Sequence, residues 1–200
     1  MLNIARLAFA SVAIIAMTYQ FASLNGPGYA KGNFFSFFTI QSNIIAVAAL
    51  FLLVLVPSER RSSWFDGVRS AAVLYIAITG IVFALLLAGL QEELQTTIPW
   101  VDFVVHKLMP VVLVADWLVD PPRHRLPWWT VLAWLAYPFA WITYTLVRGE
   151  IVDWYPYPFV DVSKLGYGGV LGRSVGLAVG FAAAGAALLW LGNRRARDPG

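Results

Sequence analysis

The sequence predicts an all-α, polytopic membrane protein with six transmembrane helices and both termini in the cytoplasm. Of its 200 residues, 60% are hydrophobic and only 12% are charged, whereas soluble domains are about 45–50% apolar and about 25% charged. Six apolar stretches are each long enough to cross about 30 Å of hydrocarbon as a helix. So little charge cannot cover a water-facing surface, which excludes a soluble enzyme, a disordered chain and a nucleic-acid-binding domain.

The six predicted spans form a single domain over residues 1–200. They lie at 4–24, 34–56, 68–90, 101–119, 128–148 and 169–191. The gaps contain helix-breaking residues such as Pro57 and Pro121. Tryptophans such as Trp100 and Trp128 lie near span ends, where an interfacial aromatic belt is expected. We therefore expect a multi-pass protein of the cell membrane.

The placement of the basic residues predicts the orientation of the chain. Most arginines lie on the side of the N-terminus, the second and fourth loops and the C-terminus: Arg6, Arg60, Arg61, Arg69, Arg123, Arg125, Arg194, Arg195 and Arg197. The positive-inside rule assigns that side to the cytoplasm. The net charge of +3 is therefore interpreted as an orientation signal rather than as a sign of an acidic partner.

Polar residues within the predicted spans are candidates for function, because such residues are costly in lipid. The chain has no cysteine, and its histidines are His106 and His124. Thr39 and His106 each lie five residues after the start of a span that enters from the non-cytoplasmic side, so both are about 8 Å deep. A hydroxyl beside an imidazole is the minimum for an activated nucleophile. Thr39 and His106 are therefore the candidate catalytic pair.

Neighbouring residues suggest supporting roles. Asn43 lies one helical turn after the threonine, so its amide is a candidate donor to a developing oxyanion, with Ser42 beside it. Asp102 precedes His106 by four residues, so its carboxylate is placed to orient the imidazole ring. Pro110 has no N–H for the carbonyl of His106, which predicts a free carbonyl and a kink.

Aromatic residues at the outer ends of the spans are candidates for lining a pocket for acyl chains. Phe38, Trp141 and Tyr144 are the candidate lining residues. An interfacial aromatic belt remains the alternative explanation. No metal site or cofactor is expected from this sequence.

Three motifs together resemble the androgen-induced-gene family of membrane proteins. They are FFTIQSN at 37–43, His106 followed by Met109-Pro110 and Asp116, and YPYPFVD at 155–161. Animal members of that family are threonine hydrolases that cleave fatty acid esters of hydroxy fatty acids. The resemblance implies an intramembrane carboxylic ester hydrolase, with the nucleophile at Thr39 and the histidine at His106. A lipid substrate would enter from the bilayer.

A second function remains open at this stage, a lipid or small-molecule binding or transport protein that uses the same polar pocket. Paired broken helices or an inverted repeat would favour transport. The sequence predicts a clear break in the fourth span only, and no internal repeat is visible.

Overall fold

The computed structural model describes residues 1–24, 31–90 and 98–196, and these residues form helices without any strand. The helices are α1 (Leu2–Ser23), α2 (Lys31–Phe34), α3 (Phe38–Leu55), α4 (Ser63–Val82), α5 (Pro99–Phe103), α6 (Met109–Val119), α7 (Thr130–Val152) and α8 (Val162–Arg195). One π-helical segment, Phe83–Leu87, continues α4, and another, Val104–Leu108, joins α5 to α6. Short 3-10 turns at Ser58–Arg60 and Pro158–Val160 precede α4 and α8.

Five helices of the described chain are long and apolar enough to cross a membrane. They are Leu2–Ser23, Phe38–Leu55, Ser63–Leu87, Thr130–Val152 and Val162–Arg195. The predicted fourth span, 101–119, lies in a helical stretch made of α5, the second π segment and α6. No one of those three pieces has the length of a span by itself. The all-helical prediction is confirmed. Of the six predicted spans, five correspond to helices that are long and apolar enough to cross a membrane.

Four predicted spans differ from the helices by four residues or more at one end or both: α4 begins at Ser63 instead of 68, α7 ends at Val152 instead of 148, and the second and last spans differ as follows. The second was expected to begin at residue 34, but the chain breaks after α2 and Phe37 is extended, with φ −70° and ψ 128°. Thr39 is therefore the second residue of α3 rather than a residue five positions inside a helix, so the predicted helix start is wrong. The last helix is longer than predicted and is bent at Gly166, whose φ of 64° is accessible to glycine without strain.

The bundle has an apolar exterior and a partly polar interior. Large apolar side chains such as Leu85, Phe139 and Ile151 are more than 70% exposed. Polar side chains such as Asn43 and Asp116 are buried between the helices. Water would penalise such an apolar surface, whereas hydrocarbon solvates it at no cost. The arrangement is therefore the one expected of helices that face lipid.

Five charged residues form a buried ion-pair cluster that joins α1, the segment after α3, α4 and α6. The Nε of Arg6 lies 2.6 Å from Asp116 Oδ1, and Arg69 binds the other oxygen of Asp116 at 2.9 Å. Arg6 and Arg61 approach Asp120 at 2.6 and 2.7 Å. The three arginines, interpreted from the sequence as orientation signals, are each no more than 5% exposed. They hold the helices together at this end of the bundle.

We predict that Asp116→Asn destabilises the protein by about 3–5 kcal/mol, because the substitution leaves Arg6 and Arg69 buried without a carboxylate between them. Thermal unfolding of the purified protein in a neutral detergent measures the effect. The matched control is Asp153→Asn, since Asp153 is exposed and has a φ of 52° that asparagine tolerates. Equal midpoints for the two variants would contradict a structural role for the cluster.

Candidate active site

His106 lies within the π-helical segment Val104–Leu108. The N–H of Met109 bonds the carbonyl of Val104, five residues earlier, instead of the carbonyl four residues earlier. Pro110 has no N–H with which to close the α-helical bond to His106, so the helix widens here rather than leaving a simple kink. The extra residue in this turn changes which side chains face α3, and His106 is buried against that helix.

The pair predicted from the sequence lies within hydrogen-bond reach. Thr39 Oγ1 is 3.3 Å from His106 Nε2, and His106 Nδ1 is 2.9 Å from Asp102 Oδ1. All three side chains are buried, with exposed fractions of 6% or less. When Nδ1–H of His106 donates its hydrogen bond to Asp102, Nε2 is unprotonated and its lone pair faces the threonine hydroxyl. The three groups therefore have the arrangement of a nucleophile, a base and an orienting carboxylate.

Phe83, the first residue of the other π segment, holds the imidazole ring in place. The two rings stack with their centroids 4.0 Å apart and their planes 12° from parallel. Gly80, one turn earlier on α4, lies against Pro110 and the carbonyl of His106, so a glycine lets α4 approach the π segment closely. This close approach brings Phe83 onto the histidine.

Tyr157 is a functional candidate that the sequence analysis did not single out. Its hydroxyl oxygen lies 3.2 Å from Thr39 Oγ1 and accepts the backbone N–H of Thr39, also at 3.2 Å. Because the phenol accepts that N–H, its own proton is free to point at Oγ1. Burial raises the pKa of Tyr157, which lies in the loop between α7 and α8, and keeps the phenol protonated as a donor.

The four side chains form one chain of hydrogen bonds with a consistent direction. With the His106 ring protonated on Nδ1, one direction satisfies all the groups: Tyr157 donates to Thr39 Oγ1, Thr39 donates to His106 Nε2, and His106 Nδ1 donates to Asp102. A sequence signal for Tyr157 was present in the YPYPFVD motif. In that motif Pro156 and Pro158 flank the tyrosine and restrict the backbone on both sides.

Asn43 and Ser42 brace the helix that carries the threonine. The amide of Asn43 donates to the carbonyls of Thr39 at 2.8 Å and Val105 at 3.1 Å. Ser42 donates to the carbonyl of Thr39 and lies 2.8 Å from Thr79 Oγ1. Both amide hydrogens of Asn43 are thus in use, so this geometry favours a positioning role over the oxyanion role expected from the sequence.

An apolar cavity of about 640 Å³ lies beside the threonine, between α4, α7 and α8. Phe38 and Trp141, two of the three expected lining residues, are in its wall together with Thr39 and Tyr157. The third, Tyr144, is 44% exposed and lies 3.0 Å from Ser36 Oγ rather than in this wall. Thr39 is thus part of the wall of an apolar cavity, whereas the described lining does not include His106.

Comparisons of the chain with models of known protein families, with curated proteins and with solved structures found no match. The resemblance to the androgen-induced-gene family therefore stays a prediction from the three motifs.

We predict that Gly80→Ala destabilises the protein, because a Cβ at this position would lie 3.0 Å from two ring carbons of Pro110 and 3.3 Å from the carbonyl oxygen of His106. Overpacking of this kind costs about 1–3 kcal/mol, and better helix propensity recovers about 1 kcal/mol of it. Gly172→Ala is the control, since nothing lies within 4 Å of its added Cβ. A Gly80→Ala variant at least as stable as Gly172→Ala in thermal unfolding would show that the contact is loose.

Proposed function

We propose that this chain is an intramembrane lipid-ester hydrolase in which Thr39 is the nucleophile and His106 is first the general base and then the general acid. The observation that carries the proposal is the buried contact of Thr39 Oγ1 with His106 Nε2 at 3.3 Å, with Asp102 on the other ring nitrogen, at the wall of an apolar cavity. Contacts of this kind are often slightly long without substrate and shorten when it binds.

In the first half of the reaction, Thr39 Oγ1 attacks the ester carbonyl carbon and its proton passes to His106 Nε2. Asp102 stabilises the imidazolium that forms. The carbonyl oxygen becomes an oxyanion, and the Tyr157 hydroxyl, already 3.2 Å from Oγ1, is the donor that we assign to it. When the tetrahedral intermediate collapses, the ester C–O bond breaks and the leaving alcohol takes the proton from Nε2, which leaves an acyl group on Thr39.

In the second half, water replaces the alcohol. His106 removes a proton from water, and the hydroxide attacks the acyl carbon on Thr39. The intermediate collapses, the acid leaves, and Oγ1 recovers its proton from Nε2. The four side chains return to their starting protonation states, so the cycle is balanced and uses only the ester, water and this chain's own residues.

The proposed substrate is a lipid ester that enters from the bilayer. The cavity next to Thr39 is walled mainly by aliphatic and aromatic side chains, which suits an acyl chain and not a polar ligand. The motif resemblance described above implies fatty acid esters of hydroxy fatty acids or similar lipid esters. The cavity's volume, about 640 Å³, falls in the range of sites that hold ligands of drug size or larger.

The proposal includes six membrane crossings, with both termini in the cytoplasm of a multi-pass cell-membrane protein. The helical stretch from Pro99 to Val119 has 21 residues in its three pieces, which is about 30 Å and enough for one more span. Excess basic residues lie at the end of the bundle that contains the ion-pair cluster, as the positive-inside rule requires of the cytoplasmic side. Thr39 then lies toward the opposite face.

We predict that Thr39→Val lowers the rate of ester hydrolysis by about 10³-fold or more, because it removes the nucleophilic oxygen and keeps the shape of the side chain. Thr39→Ser should retain measurable activity. Hydrolysis of a long-chain fluorogenic ester by the purified protein in detergent gives the rates.

The matched control for that experiment is Thr145→Val. Thr145 is also buried, and its hydroxyl has no hydrogen-bond partner among the described residues, so the substitution should leave the rate unchanged. Undiminished hydrolysis by Thr39→Val would contradict the proposal, and no hydrolysis by the unchanged chain would favour the binding or transport alternative.

We predict that Tyr157→Phe lowers kcat by about 10²–10³-fold with little change in KM, because an oxyanion donor acts in the transition state. Steady-state kinetics on the same ester measures the two constants. Tyr155→Phe is the control from the same loop, since its ring, which packs on Gly149, is retained. A rise in KM without a fall in kcat would assign Tyr157 to substrate binding instead.

A further inference from the structure

A second cavity, of about 470 Å³, adjoins the apolar cavity and carries positive charge. Lys164 and Arg173 are part of its lining. Leu87, Phe159 and Leu177 line both cavities, so the two chambers share a wall. The apolar cavity beside Thr39 therefore adjoins a cavity that is lined by two cationic side chains.

Two aromatic side chains in contact with each other connect Thr39 with the lining of this second cavity. Tyr157, whose hydroxyl lies 3.2 Å from Thr39 Oγ1, stacks on Phe159 with ring centroids 5.1 Å apart and planes 4° from parallel. Phe159 is in turn part of the lining of the second cavity. One amphiphilic molecule can therefore contact both places.

Arg173 is the exposed arginine of this lining. Lys164 lies 3.6 Å from a carboxylate oxygen of Asp161 and is 66% exposed, so its charge is offset by a neighbour and by solvent. Within the described residues, Arg173 has no ion pair or hydrogen bond. It lies eleven residues after Val162 in a helix that is long and apolar enough to cross a membrane. A guanidinium at such a position is costly unless an anion or water meets it.

We propose that Arg173 binds the anionic group of an acidic amphiphile whose apolar part occupies the cavity beside Thr39. This inference rests on the proposed hydrolase function, since the acidic amphiphile is then the ester substrate and Arg173 determines its selectivity. The planar guanidinium offers two parallel N–H donors, which match the paired oxygens of a carboxylate or a phosphate. Lys164 lines the same cavity, but its charge is already offset by Asp161.

The test is a binding experiment that does not depend on hydrolysis. The full chain carrying Thr39→Val, in neutral detergent, is titrated with cis-parinaric acid and separately with its methyl ester, and the fluorescence change gives the affinities. The acid should bind more tightly than the ester. Adding Arg173→Gln should weaken acid binding by about tenfold and leave ester binding unchanged, because one charge-assisted hydrogen bond has that magnitude. Arg173→Lys should recover part of the loss.

Two comparisons separate this site from general charge effects and from a small-anion site. Arg195→Gln removes an exposed arginine from the far end of α8 and should leave acid binding unchanged. Dodecyl phosphate should displace the bound acid at concentrations at which inorganic phosphate does not. Equal losses in the two arginine variants, no loss in Arg173→Gln, or equal displacement by inorganic phosphate would each overturn the inference.

The hydrolysis assay distinguishes failure of the inference from failure of the proposed function. Two substrates are compared, an ester with a free acid group and its neutral methyl ester. In the Arg173→Gln variant of the otherwise unchanged chain, kcat/KM for the acidic ester, divided by kcat/KM for the neutral one, should fall about tenfold. An unchanged ratio with intact hydrolysis overturns the role of Arg173 alone. Charge-dependent binding without hydrolysis by the unchanged chain would uphold the anionic site and overturn the enzyme.

Discussion

A polar group buried between apolar helices has no water to bind, so it must find its partner on another helix. This constraint acts at both ends of the bundle. At one end, the cluster around Asp116 neutralises buried arginines from three segments. At the other end, a chain of hydrogen bonds links Asp102, His106, Thr39 and Tyr157, each with the next. Ten residues, or about 15 Å of helix, separate His106 from Asp116, so two polar systems are held by the same helical stretch.

The π segment is the local feature through which that constraint produces a site. Pro110 removes one α-helical bond, and the widened turn that results carries His106. An irregular helix costs stability, but here the cost is offset by contacts that a regular helix would lack. Asn43 binds the carbonyl of Val105 within the segment, and Phe83 stacks on the imidazole. The close approach at Gly80 completes the fit. Precise placement of the base thus depends on packing from α3 and α4.

The helical class and the pairing of Thr39 with His106 were predictable because polar residues are so scarce in this chain that few combinations exist. The depth predicted for Thr39 assumed a helix start at residue 34, which is wrong. The two side chains meet because the break before Phe38 and the π turn both change the helical register. Tyr157 could not be placed from local pattern, since it approaches Thr39 from a loop 118 residues away. Likewise, the sequence reveals the positive charge of an arginine such as Arg61 but does not reveal that its side chain is buried.

The most direct test of the central claim is covalent capture of the nucleophile. The purified chain is treated with a long-chain fluorophosphonate, digested and analysed by mass spectrometry. Thr39 should carry the phosphonyl group if the histidine at 3.3 Å activates its oxygen as proposed, and His106→Gln should abolish the modification while the bundle remains folded. Modification of another residue, or none on Thr39 in a chain that still hydrolyses the ester, would contradict the account.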